Sequence, residues 1–516
     1  MAFKVASLWQ APTINPVNNK AQSIPIFNPF NIYGRVFLLS WWSFFIAFWS
    51  WYAFPPLLTV SIKKDIHLSQ NEIANSNIVA LTATFIVRLT AGAACDRFGP
   101  RWTFAAILLA GAIPTALAGT VNSATGLIIL RFFVGILGGA FVPCQVWTTG
   151  FFDKNVVGTA NALTAGLGNA GSGVTYFVMP AIFDSLVQRQ HLTPHSAWRV
   201  AFVVPFILIV ASALVIIVAC PDAPTGKWSS RAYDMQRQAE HRDIYVSTFD
   251  NEDRQLHSRS QGRKSPHKHN ISDHSVELEY FPGRKQEQEE TALNEQDLLN
   301  AASWELVEKP TYHGSVKAII SLPTLTLFVA YFCTFGTELA VNSFLGAFYL
   351  KTFPHLGQTG SGRWAAMYGL LNAVFRPLGG LMADIIYRTT GSLWGKKILM
   401  HSLAIIMGVF MLIIGFVNPH HKATMMGLMT GLAFFEEAGN GSVFALLPHV
   451  HPTSNGLITG VTGAAGNLGG IVYLLIARYN GTNYARVFWI VGIVNISASL
   501  LVTWIRPLPK RRVDVR

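Results

Sequence analysis

Runs of roughly 18–25 apolar residues recur along the chain, separated by short polar loops. The runs are continuous rather than alternating, so they predict helices and not the strands of a barrel. Each is long enough to cross a hydrocarbon layer of about 30 Å. The pattern places twelve helices at roughly 35–57, 72–94, 103–121, 124–147, 157–182, 199–220, 317–350, 363–387, 396–417, 422–447, 456–477 and 484–506. A polar interval from about 228 to 312 divides them six and six. It has no apolar periodicity and is rich in Gln, Glu, Arg, His and Ser. It cannot bury enough surface to offset its ordering entropy, which predicts a largely disordered linker. The expected organisation is a polar cytoplasmic segment 1–34, a six-helix bundle 35–220, a disordered loop 221–315, a second bundle 316–506 and a basic tail 507–516. The expected fold class is an all-α polytopic membrane protein with two six-helix halves. No secretory signal is expected ahead of the first helix, which itself serves as the insertion signal.

Composition agrees with the pattern. Of 516 residues, 51% are hydrophobic and only 13% charged, where a soluble protein carries about 25% charged residues. The formal net charge of +12 does not point to nucleic acid. Residues 221–315 hold 17 of the 27 acidic and 12 of the 39 basic residues, leaving 10 acids against 27 basics elsewhere. Most of those basics edge the helices, where they set orientation. Arg97, Arg101, Lys154, Arg388, Lys396, Lys397, Arg506 and Lys510 fall on one side of a twelve-helix count with both termini inside. His449 and His451, at the turn between helices 10 and 11, are expected at the surface. The four cysteines lie in or beside helices without metal-ligand spacing and are expected to pack as small apolar residues. No cofactor or metal is expected, and no nucleophile–base set suggests an enzyme.

Two arginines break the apolar pattern. Arg88 lies in Ile78-Val-Ala-Leu-Thr-Ala-Thr-Phe-Ile-Val-Arg88 and Arg376 in Leu370-Leu-Asn-Ala-Val-Phe-Arg376. A cation at mid-membrane costs ~2.5 kcal/mol or more, so it marks a functional site by default. The two positions match: each arginine precedes a glycine by four residues and an aspartate (Asp96, Asp384) by eight. Gly158 to Gly168-Asn169 likewise matches Gly456 to Gly466-Asn467. Such internal duplication places a transport site at the midplane, between two rocking halves. The glycine-rich stretches have no preceding strand and no lysine, so they are not phosphate loops. Their small residues are expected to let helices approach closely.

Gly92-Ala-Ala-Cys-Asp96-Arg97-Phe-Gly99-Pro100-Arg101 resembles the loop motif of the major facilitator superfamily. That resemblance implies a cytoplasmic gate formed by Asp96, Arg97 and Arg101, with a structural or gating role for Arg131. The second copy, Gly380-Leu-Met-Ala-Asp384, is degenerate. The paired Gly-Asn stretches, Arg88, Arg376 and Phe151-Phe152-Asp153 resemble the nitrate/nitrite porter family within it, and the polar insert looks most like that of fungal high-affinity nitrate transporters. The resemblance implies that Arg88 and Arg376 clamp the anion and that Asn169, Asn467, Tyr331, Phe335 and Phe141 line its site. It also implies proton symport at the plasma membrane, nitrite as a second anion, and a monomer in lipid.

The chemistry of the residues is compatible with this. Eight residues at 1.5 Å place Arg88 about 12 Å inward of Asp96. Guanidinium is planar, always charged and offers paired donors, which suits a planar trigonal anion. An empty site with two uncompensated cations is expected to stay open until the anion arrives. Uptake against an inside-negative potential costs ~2.3 kcal/mol per charge per 100 mV, so a co-transported cation is needed. Glu338, with Glu436 and Glu437, supplies the intramembrane acids; Glu338 is the candidate for proton coupling, and a structural ion pair is the competing role. Nitrate/nitrite exchange and non-transporting nitrate sensing remain alternatives.

Overall fold

The computed structural model describes residues 5–15, 18–229, 312–451 and 454–507. Eleven helices among them are long and apolar enough to cross a membrane. They are α1 (Ile32–Leu57), α2 (Asn71–Phe98), α3 (Pro100–Thr120), α4 (Ala124–Phe151), α5 (Val157–Gln188), α6 (Pro194–Ala219), α7 (Leu322–Thr352), α8 (Gly360–Thr390), α9 (Leu393–Val417), α11 (Asn455–Asn480) and α12 (Tyr484–Leu501). Between them lies α10 (Lys422–Val450), 29 residues long. Glu436, Glu437 and Asn440 make its middle polar. The twelve form the two-half arrangement expected from the pattern. Most of the 221–315 segment and of the basic tail lies outside the described residues. Asp222 and Trp228, at the start of that segment, pack back on α2 and α3.

Local chemistry sets the helix ends. Ser69 and Glu72 form a reciprocal capping box at the start of α2. Thr193 and Ser321 cap α6 and α7, each followed within two residues by proline. Gly99, at φ 94°, turns the chain between α2 and α3, a backbone conformation that side chains resist. Within α4, Gly135–Ala140 tightens into a 3-10 turn. A Cβ on Gly138 or Gly139 would run into Thr84 or Val87 of α2, so these glycines let the two backbones come close.

The halves meet at two matching latches. The Asp96 carboxylate, at the end of α2, accepts the backbone N–H groups of Gly456 (3.1 Å) and Leu457 (2.8 Å) at the start of α11. The Asp384 carboxylate, near the end of α8, accepts N–H and hydroxyl of Thr159 (2.6 and 2.8 Å) at the start of α5. An anionic group at a helix N-terminus satisfies orphan donors and meets the positive end of the dipole. The degenerate second motif therefore keeps the contact of the first. Its basic partner comes from another helix: Lys396 of α9 donates to Asp384 at 3.1 Å, and both are buried. Lys396 also contacts His449 at 3.1 Å. His449 is thus buried rather than at the surface, because α10 continues past it to Val450 and packs it beneath Lys396 and Tyr387. His451 is half-buried, 2.9 Å from the Ser321 hydroxyl.

Removing one member of a buried pair leaves the other charge unpaired, at a cost of about 3–5 kcal/mol. Lys396→Met is expected to lower the unfolding temperature of the purified protein markedly. The double variant Lys396→Met/Asp384→Asn recovers most of the loss, since asparagine still accepts from Thr159. A single variant as stable as the parent would show that the pair contributes nothing.

Candidate functional site

Arg88 reaches the site from α2 and is fully buried. Its Nε donates to the Gly138 carbonyl (3.0 Å), available because α4 is in its tightened turn there, and its Nη1 donates to the Gly463 carbonyl of α11 (2.9 Å). Among the described residues its Nη2 has no hydrogen-bond partner. Arg376 reaches in from α8, equally buried. Its Nη1 donates to Asn372 Oδ1 (2.9 Å) and its Nη2 to the Tyr331 hydroxyl (3.0 Å), while Nε is left without a partner. Both guanidiniums lie over one ring: Phe335 is 5.0 Å from Arg88 and 5.5 Å from Arg376. Arg88 also lies 4.8 Å from the ring of Phe141. Cation–π contact offsets part of the cost of burying each charge.

The aromatic residues form one stack. Tyr331 and Phe335, one helical turn apart on α7, lie 4.9 Å apart and nearly parallel. Phe141 of α4 stacks on Tyr331 at 6.0 Å and on Phe335 at 6.3 Å. Phe44 of α1 and Phe444 of α10 close around Phe141 at 5.6 and 4.8 Å. Rings from four helices thus wall off two charges, in surroundings where electrostatic contacts are strong.

Both signature asparagines are fully buried. Asn169 donates to the Ala165 carbonyl at 3.0 Å and Asn467 to that of Gly463 at 3.1 Å, each one turn back on its own helix. Each leaves its side-chain oxygen unpartnered. The Gly463 carbonyl is shared between Asn467 and Arg88, so α11 holds the arginine through its backbone. The neighbouring glycines pack as expected. A Cβ on Gly460 would lie 2.6 Å from the Arg88 carbonyl, and one on Gly166 2.5 Å from the Asn372 carbonyl.

The remaining candidates lie elsewhere. Arg101 pairs with Asp222 at 3.2 Å and donates to the Cys220 carbonyl at 2.6 Å, closing the α3–α6 end. Burial pushes the Asp222 carboxyl above its ordinary range, with Arg101 pulling against it. Arg97 is exposed, its guanidinium over Phe98. Arg131 donates to Asn77 Oδ1 at 2.7 Å and lies 5.2 Å from the Phe54 ring, tying α4 to the starts of α2 and the end of α1.

One expectation is overturned. The site does not hold two uncompensated cations, because Glu338 and Glu437 approach Arg376 at 3.7 and 3.9 Å. The carboxylates come from α7 and α10, far from Arg376 in sequence, and α8 packs on both helices.

This duplicated architecture has a family. The sequence matches the Major Facilitator Superfamily over residues 40–274 and 327–515. The chain belongs to that superfamily. It is therefore a multi-pass membrane transporter rather than an enzyme. Elsinochrome transporter 1 of Elsinoe fawcettii is 35% identical over 98% of this chain and 99% of its own length. High affinity nitrate transporter 2.5 of Arabidopsis thaliana is 28% identical over 93% of this chain and 81% of its own. Among superfamily structures, the proton:xylose symporter XylE bound to 6-bromo-6-deoxy-D-glucose superposes with a TM-score of 0.61 at 13% identity. The superposition covers 90% of this chain and 94% of that one, and it speaks for the fold alone.

Within this superfamily member, several site residues carried no sequence signal that singled them out. Asn372 is one turn before Arg376 and could have been found as its i−4 neighbour. Phe44 and Phe444 were indistinguishable from core aromatics.

Proposed function

We propose that the chain takes up nitrate, and nitrite as a second anion, by proton-coupled symport. The carrying observation is the pair of fully buried arginines, one from each half, over the same Phe335 ring, each with an N–H unpartnered. A flat anion between them would accept from Arg88 Nη2 and Arg376 Nε, with ring faces excluding bulkier, more strongly hydrated anions. Asn169, Asn467, Tyr331, Phe335 and Phe141 line the anion's site, Asp96, Arg97, Arg101 and Arg131 serve its gates, and alternating access moves the halves about it. The relative named as a nitrate transporter supports the anion class. The basic helix edges support cytoplasmic termini, uptake from outside the cell places the chain in the plasma membrane, and one monomer holds the whole site.

Oocytes expressing the chain are expected to accumulate labelled nitrate, faster at acid than at neutral pH, and to take up neither phosphate nor chloride. Silence with nitrate despite surface expression overturns uptake. Nitrate efflux driven by outside nitrite would then favour exchange, and nitrate signalling without flux would favour sensing. The relative named for elsinochrome makes an organic substrate the remaining outcome.

A further inference from the structure

Glu338 of α7 and Glu436 and Glu437 of α10 bring carboxylate oxygens within 4.8 Å of one another, all three buried. Arg376 lies within ion-pair distance of Glu338 and Glu437. Among the described residues no ion pair reaches Glu436, which accepts from the Tyr368 hydroxyl and leaves its other oxygen unpartnered. Asn372 donates to Glu338 (2.9 Å) and Glu437 (2.6 Å), and Asn440 to the same two at 2.9 and 3.4 Å. The side-chain oxygen of Asn440 is itself buried with no donor, although its amide nitrogen sits on two of the carboxylates. Beyond these groups, Tyr331 faces Arg376, and Arg88 and Tyr52 lie within electrostatic reach of Glu338.

The cluster holds more acceptors than donors, and unfilled buried acceptors are costly. Three carboxylates this close and this buried repel one another when ionised, so the cluster favours taking up a proton. An anion bound to Arg376 competes with Glu338 and Glu437 for one guanidinium. We propose that Glu338, Glu436 and Glu437 form a single proton-accepting site, and that an anion landing on Arg376 displaces Glu338 and Glu437 and draws a proton onto the cluster.

This rests on the nitrate reading and supplies its coupling step. The charges balance: nitrate brings one negative charge, and one proton added to the displaced carboxylate restores the charge the site had before. No bond of nitrate changes. Linkage makes the effect reciprocal, so protonation tightens nitrate and nitrate tightens the proton. Nitrate affinity therefore falls as pH rises, by up to about tenfold per pH unit for one linked proton.

The test titrates nitrate into the purified full chain in weakly buffered solution with a pH indicator. The expected result is about one proton taken up per nitrate bound. Glu338→Gln/Glu437→Gln takes up none, and binds nitrate at least as tightly with no pH dependence, because the competing charge is gone. If that variant does not fold, Glu338→Gln alone reads the same pH slope, expected at half or less of the parent's. Nitrate binding without proton uptake, an undiminished slope in the variants, or a requirement for sodium overturns the proposal while the nitrate reading stands. A parent protein that binds no nitrate at all overturns both.

Discussion

Arg88→Lys is expected to abolish nitrate uptake while the protein still reaches the surface. The substitution keeps the charge and removes the geometry. Arg88 holds the Gly138 and Gly463 carbonyls with two different nitrogens and keeps a third free. A lysine ammonium is a single point of charge on a flexible stem. It cannot reach carbonyls of α4 and α11 from their two directions and still present a donor between them. Each lost hydrogen bond to a charged group costs about 1.5–3 kcal/mol. The two carbonyl bonds fix where the charge sits, and losing the third donor to nitrate by itself costs roughly tenfold or more in affinity, at tenfold per 1.4 kcal/mol. The guanidinium's place over the Phe141 and Phe335 rings is lost as well, and an ammonium fills it less well. Nitrate uptake within threefold of the parent, at equal surface abundance, would remove Arg88 from the site.

The contrast between the two arginines shows what a chain can and cannot disclose. Arg88 and Arg376 stood out because charge is rare in apolar runs, and that rarity is a property of each run by itself. The aromatic positions 141, 331 and 335 were found through resemblance, and they meet in one stack. The twelve helices were legible because a membrane makes hydrophobicity nearly sufficient to define them. The intramembrane acids were legible as such, but which of them would meet Arg376 was not. Glu437 is 61 positions away on another helix, and no periodicity within α10 says which face meets α8. The same limit hid the role of Lys396, read in the sequence only as a helix-edge cation, whose charge completes the second latch. A motif search within α8 sees only a missing arginine, while the packing of α9 beside it supplies the cation. The expectation of an open, doubly charged site failed for this reason: it summed the charges visible in two segments and omitted those that the third dimension adds.

Gly460→Val is expected to remove transport almost entirely, although residue 460 offers no functional group. Here α2 and α11 touch backbone to backbone. A Cβ at 460 would lie 2.6 Å from the Arg88 carbonyl and 3.0 Å from the Gly92 Cα, and a Cβ at 92 would lie 2.5 Å from the Gly456 carbonyl. Neither neighbour is a flexible side-chain tip, so the helices must separate. Separation there acts at both ends of a single interface. Toward the latch it pulls Gly456 and Leu457 away from the Asp96 carboxylate. Toward the site it withdraws the Gly463 carbonyl from Arg88 and with it the anchor of Asn467. Overpacking of this kind costs about 1–3 kcal/mol in a well-packed core, and here it also misplaces a charged donor whose position sets affinity. Gly427→Val, on α10 where a Cβ would meet nothing within 4 Å, is expected to leave uptake unchanged and controls for helix propensity. Uptake per surface molecule is the measurement. If Gly460→Val transports like Gly427→Val, the close contact of α2 with α11 is dispensable, and the glycines serve neither the latch nor the clamp.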